Sequence, residues 1–199
     1  MNVDILVVGI GGQGVMTAAE AIARAALTAG FDASKTEVTG MSQRGGVVCS
    51  QVRIGERVEA SEIRPGTAQL LIAFEAAEGL RWSHYLAPGG CALLDPWRAV
   101  PPIVSSGVHE YPSDPVAEIR VSNRQVHEIE ARGTAEHLGD ARLANSVMLG
   151  AAAASLPFSA TVLRNEVLRR FGKRPQLAEP NARAFDAGRE LAANPAVAA

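Results

Sequence analysis

Residues 3–30 read VDILVVGIGGQGVMTAAEAIARAALTAG, and the fold class turns on them. Val3 to Ile10 is a short, nearly unbroken aliphatic run rich in β-branched residues, the pattern of a strand buried on both faces of a parallel sheet. It stops at glycines. From Gly14 to Gly30 the chain is alanine-rich, and Val15, Ala18, Ala19, Ile22, Ala25 and Ala26 recur at helical spacing. Gly30 closes the segment, where a left-handed residue ends a helix. Strand, glycine turn and helix in this order open a βαβ unit.

Working outward, FDASKTEVTG predicts a short second strand ending near Val38. A polar loop, GMSQRGG from Gly40 to Gly46, leads to a strand with Val48, Ser50, Val52 and Ile54 on one face. Gly55-Glu56 then reads as a hairpin turn, with Val58 and Ala60 leading a return strand. Gln69 to Phe74 is a second buried strand, passing into a helix from Glu75 to about Tyr85 that closes near Pro88-Gly89-Gly90. Cys91 to Leu94 is a third, ending at Asp95-Pro96. Pro101 to Arg120 predicts a hairpin or meander carrying Ile103, Val104 and Val108. Helices are expected over 145–156, 159–171 and 181–193. Without repeats or low-complexity linkers, this makes one α/β domain over residues 1–199, helical at its carboxyl end from about 141 to 193.

Composition removes several function classes. Nineteen Lys and Arg against 21 Asp and Glu leave a net charge of −2, which disfavours a generic nucleic-acid binder. Cys49 and Cys91 stand far apart in no CxxC or Cys/His spacing, so they cannot supply four thiolates to an iron–sulfur cluster or structural zinc. Any such centre belongs on a partner. The glycine-broken amino terminus reads as neither signal peptide nor membrane span, and a cytoplasmic protein is expected.

Gly9, Gly11, Gly12 and Gly14 form GxGxxG directly between strand and helix, the context that gives this fingerprint meaning. Glycines there let the backbone approach an anion while free amides and the positive helix end attract phosphate. The same glycines also serve a tight turn with close helix packing and no ligand. A dinucleotide site needs an acidic residue at the end of its second strand, and Glu37 is the one fair candidate. Yet the chain then returns through a hairpin in place of a second βαβ unit. Gln43, Arg44, Gly45 and Gly46 form a second constellation, a flexible turn presenting one amide and one guanidinium that can fork onto phosphate or carboxylate, or simply lie in solvent.

The remaining polar residues have plainer readings. Glu75 and Glu78 at a helix start favour capping over acid/base work, and Arg81 pairs with Glu78 at i, i+3. His84, His109, His127 and His137 show no metal spacing, and Ser42 and Ser50 lack a nucleophile elbow. Asn145 reads first as an N-cap.

GxGGQGV, the QRGG loop and the V-R-I-G strand end together resemble the gamma-subunit or gamma-domain family of 2-oxoacid:acceptor (ferredoxin) oxidoreductases. Phe74-Glu75-Ala76-Ala77-Glu78-Gly79-Leu80-Arg81 is similar to that family's strand-to-helix element, and Asn145-Ser146-Val147-Met148-Leu149-Gly150 to its helical N-x-x-x-L-G segment. Leu156-Pro157-Phe158 and Asn181 with Ala184, Phe185 and Gly188 resemble its carboxyl-terminal elements, so the likeness spans nearly the whole chain. Ala68-Gln69 departs from it, since relatives carry an aspartate before the apolar strand.

The resemblance implies a Rossmann-like three-layer α/β domain with a mixed sheet and helical carboxyl-terminal segment. It further implies a small subunit, holding no redox centre and inactive alone, of a complex that oxidatively decarboxylates 2-oxoacids, commonly to acyl-CoA. Thiamine diphosphate with Mg2+ and [4Fe-4S] clusters would lie on a large partner subunit, with a ferredoxin-type acceptor and an indolepyruvate-like or other aryl-pyruvate substrate. By the same resemblance, either coenzyme A or a neighbouring subunit would meet the glycine turn and the Gln43-Arg44 loop, and the two stay open. Two other classes stay open: a stand-alone NAD(P)- or flavin-dependent oxidoreductase using Gly9 to Gly14, and a scaffold whose glycine turn is purely structural.

Overall fold

The computed structural model of the protein describes residues 2–39, 46–99, 111–122 and 125–193. Val3–Ile10 forms β1, Val15–Thr28 α1, Asp32–Thr39 β2, Val47–Gly55 β3, Ala68–Ala73 β4, Ala76–Trp82 α2 and Leu86–Leu94 β5. Pro115–Val121 is α3, Gln125–Glu128 β6, Ala131–His137 α4, Ala144–Ala152 α5, Ala160–Arg169 α6 and Ala178–Ala193 α7. The strands make one mixed sheet in the order β2-β3-β1-β4-β5-β6. From β1 outward through β4, β5 and β6 the pairs are parallel, whereas β3 runs antiparallel to both β1 and β2.

Strand β1 is buried on both faces, and its alternation divides the core. Ile5 and Val7 pack with α1, α5, α6 and α7, while Leu6 and Val8 face the layer of α2 and α3. The sheet is thus sandwiched between helices. Gly30 ends α1 at a φ of +89°, which fits the left-handed residue expected there. Among the described residues no helix is long and apolar enough to cross a membrane.

Three expectations need correction. No return strand follows Gly55: residues 56–67 lie in neither helix nor strand. Both edges of β3 are taken by β1 and β2, leaving Val58 and Ala60 no ladder to join, and the Val58 amide donates to Asp32 Oδ2 at 2.8 Å. The Pro88-Gly89-Gly90 run lies inside β5, which begins at Leu86 and loops out a bulge between the pairs Ala68↔Leu86 and Leu70↔Cys91. Within the proposed meander, Pro115–Val121 is helical, with Pro115 in the first turn and Asp114 Oδ1 accepting from the Ala117 amide at 3.0 Å. Ile103, Val104 and Val108 lie outside the described residues. Strand β6 and helix α4 carried no expectation.

Candidate functional site

The turn after β1 lies at the carboxyl ends of the parallel strands, where open α/β sheets place ligands. It is built by two side-chain amides. Gln13 folds back so that its Oε1 accepts from the Ile10 amide at 2.7 Å and its Nε2 donates to the Phe74 carbonyl, at the end of β4, at 2.7 Å. From the opposite side Asn145, in the first turn of α5, donates through Nδ2 to the carbonyls of Gln13 at 3.2 Å and Gly14 at 2.9 Å. The expectation that Asn145 caps its own helix is therefore wrong. A 3-10 turn, Ala141–Leu143, is capped by Asp140 and runs straight into α5, so the helix has no open start at 145.

Glycine is required at Gly14, whose φ is +80° and where a Cβ would lie 2.9 Å from Asn145 Nδ2. A Cβ on Gly9 would meet Gln13 Oε1 at 2.5 Å. Gly11 donates its amide to the Gly46 carbonyl at 2.8 Å, bringing the end of the 40–46 loop onto the turn. At Gly12, with φ +102°, a Cβ would meet only open space, so the bare backbone is accessible. No described side chain caps the amino end of α1, and its positive end stays open to an anion. Of the second constellation, Gly46 falls at the turn, while Gln43, Arg44 and Gly45 lie outside the described residues.

The turn opens on a cleft of about 810 Å³ lined by residues that no single segment announces, among them Asp95, Trp97, Arg132, Arg142, Arg170 and Arg183. The Arg132 guanidinium sits 5.0 Å from the Trp97 ring centre. Arg142 grips Asp140, and that exposed pairing holds the Asp140 carboxyl down at about 2. Asp95, directly after β5 and 2% exposed, accepts from the amides of Trp97 at 3.1 Å and Arg132 at 2.9 Å. Burial pushes its carboxyl up to about 6, with Glu130 adding to the rise and the two amides opposing it.

That shift has a sign. A carboxyl raised above its unfolded value of 3.8 binds a proton more readily when folded, so its contribution to stability appears as pH falls through 6 and is absent above it. Relative to Asp95→Asn, the wild-type unfolding free energy should gain about 1 kcal/mol between pH 7 and pH 5, measured by urea melts. A flat difference would place the titration elsewhere.

Glu37, the acidic candidate, does not line this cleft. Strand β2 is separated from β1 by β3, and Glu37 is bound by Lys35 at 2.6 Å in a separate groove between α1, β2 and α6. Glu75 caps α2 as expected, accepting from the Glu78 amide at 2.8 Å, and Glu78 pairs with Arg81 at 3.2 Å. Among the described residues no group of three His, Cys, Asp or Glu can hold a metal ion, and burial pushes the Cys49 thiol up to about 12, away from thiolate.

Residues 4–191 match the family model of pyruvate ferredoxin/flavodoxin oxidoreductase. The chain is 39% identical over 152 residues to indolepyruvate oxidoreductase subunit IorB of Archaeoglobus fulgidus, covering 75% of each chain. With the IorB subunit of Pyrococcus horikoshii it shares 34% identity over 191 residues, 93% of each. The crystal structure of the keto/oxoacid ferredoxin oxidoreductase gamma subunit from Geobacter sulfurreducens superposes with a TM-score of 0.70 at 28% identity, over 96% of this chain and 98% of that one. This agreement in sequence and fold shows that the chain belongs to the pyruvate ferredoxin/flavodoxin oxidoreductase family, as one of its small, gamma-type subunits.

Proposed function

We propose that this chain, one gamma-type domain over residues 1–199, completes a cytoplasmic complex that oxidatively decarboxylates an aryl 2-oxoacid such as indolepyruvate to its acyl-CoA, with ferredoxin as acceptor. The observation that carries this is the end-to-end match, at 34% identity over 93% of both chains, to an indolepyruvate oxidoreductase subunit. Two cysteines, one fully buried, do not fit a [4Fe-4S] cluster, so the clusters, thiamine diphosphate and Mg2+ belong to a large subunit. The cleft does fit the phosphates of coenzyme A. Gly12 offers bare backbone, the end of α1 offers a positive pole, and Arg170 and Arg183 offer charge. Gly9, Gly11 and Gly14 shape the turn, Gly46 meets it by accepting from the Gly11 amide, and Gln43, Arg44 and Gly45 stay candidates on their sequence alone.

Anaerobic mixing of this chain with its large subunit tests the reading. Each alone should be inactive in 2-oxoacid-dependent dye reduction, and the mixture active and dependent on coenzyme A. A chain that binds NAD(H) or flavin tightly by itself and stimulates no partner would overturn it.

A further inference from the structure

We propose that Asn145 is a positioning residue for the glycine turn, setting the peptide planes that aim its amides at an anion in the cleft. This rests on reading the cleft as the coenzyme A phosphate site. Both groups facing the side-chain amide are carbonyl oxygens, Gln13 at 3.2 Å and Gly14 at 2.9 Å, so the atom between them is the nitrogen and the side chain has one orientation. In a trans peptide the N–H points opposite to the carbonyl. Drawing the Gln13 and Gly14 carbonyls toward α5 therefore fixes the planes of both peptides and with them the direction of the amide of Gly14, which lines the cleft at the start of α1. The Gly14 carbonyl also accepts the first intrahelical bond of α1, from Ala18 at 2.9 Å, so its second lone pair serves Asn145.

The anchor behind Asn145 is stiff. Ser146 Oγ donates to Asn181 Oδ1 at 2.6 Å, and Asn181 Nδ2 donates to the Leu177 carbonyl at 2.8 Å. Asn145 thus fastens a turn at residue 14 to the helical layer of α5 and α7, while Gln13 fastens it to β4.

Asn145→Asp separates this role from space filling, because it keeps the shape and replaces the donor with a carboxylate facing two carbonyls. In the reconstituted complex it should raise KM for coenzyme A by at least about tenfold, with kcat and KM for the 2-oxoacid within about twofold; Asn145→Ala should raise it about threefold. Wild-type KM for coenzyme A in both variants, or a loss of kcat equal to the rise in KM, would overturn the assignment. Arg183→Ala removes a charge from the cleft without touching the backbone of the turn and tests the cleft by itself. If it raises KM for coenzyme A while both Asn145 variants do not, the role of Asn145 alone falls. If none of the three moves KM, the cleft reading falls with it.

Discussion

A single methyl group on Gly150 should abolish the stable fold. Its Cβ would overlap the Phe185 carbonyl oxygen and lie 2.8 Å from the Phe185 carbonyl carbon, and both atoms are backbone of α7. Reciprocally, a Cβ on Gly188 would overlap the Val147 carbonyl oxygen. These paired contacts show α5 and α7 crossing antiparallel with their backbones touching, an approach that only glycine permits. No rotamer can relieve the clash, so the helices must part, and Phe185, Val147, Met148 and Leu149, all fully buried, lose contacts along the seam. Overpacking between two backbones falls at the severe end of point mutations, about 4 kcal/mol or more, against a total stability of about 5–15 kcal/mol. Gly150→Ala and Gly188→Ala should therefore be insoluble or melt at far lower urea. Gly133→Ala is the control: its Cβ would sit 3.6 Å from Glu130 Oε2 within α4 and should stabilise by about 0.5–1 kcal/mol. Near-wild-type melts for Gly150→Ala would mean that the two helices do not cross there.

The strands most plainly legible in the sequence are those buried on both faces. β1, β4 and the Cys91–Leu94 end of β5 are aliphatic runs with no polar face to confuse the period, and α1 is set off by glycines at both ends. The edge strand β6 was silent for the opposite reason. β6 is QVHE, half-polar and four residues long, because it pairs with β5 alone. The false hairpin after Gly55 came from a sound local turn signal that tertiary pairing overrode, since β3 is central to the sheet.

At the site the turn itself was legible and its surroundings were not. Phe74, Asp95 and Arg132 are far apart in sequence, and only the parallel order β4-β5-β6 brings the ends of those strands beside Gly12. One signal did point to Asp95: an acidic residue immediately after a buried parallel strand lies at the ligand end of the sheet. For Asn145 no local signal exists. Its partners are 131 and 132 residues away, and its neighbourhood reads as an ordinary helix start.

Replacing Glu75 with alanine should cost about 3 kcal/mol and loosen the cleft as well. The carboxylate is fully buried, accepts from the amides of Glu78 at 2.8 Å and Ala99 at 3.3 Å, and takes a further bond from the Tyr111 hydroxyl. Burial, with Glu75 adding to it, pushes the Tyr111 pKa up, so the phenol stays neutral and keeps donating throughout the physiological range. Truncation takes the acceptor from all three donors and leaves the Glu78 amide buried without one. Glu75→Gln keeps one oxygen but sets an NH2 against donors, so about half the loss is expected, and Tyr111→Phe should lose about 1 kcal/mol. The pair should couple by more than about 0.5 kcal/mol in a double-mutant cycle, measured by urea melts. The effect should also reach the ligand. The Ala76 amide donates to the Trp97 carbonyl at 3.3 Å, and Phe74, next to Glu75, holds Gln13 through its carbonyl. A carboxylate that anchors residues 97–99 therefore also supports the Trp97–Arg132 wall, and Glu75→Gln should raise KM for coenzyme A about threefold at temperatures where it remains folded. Additive stabilities and an unchanged KM would reduce Glu75 to a simple helix cap.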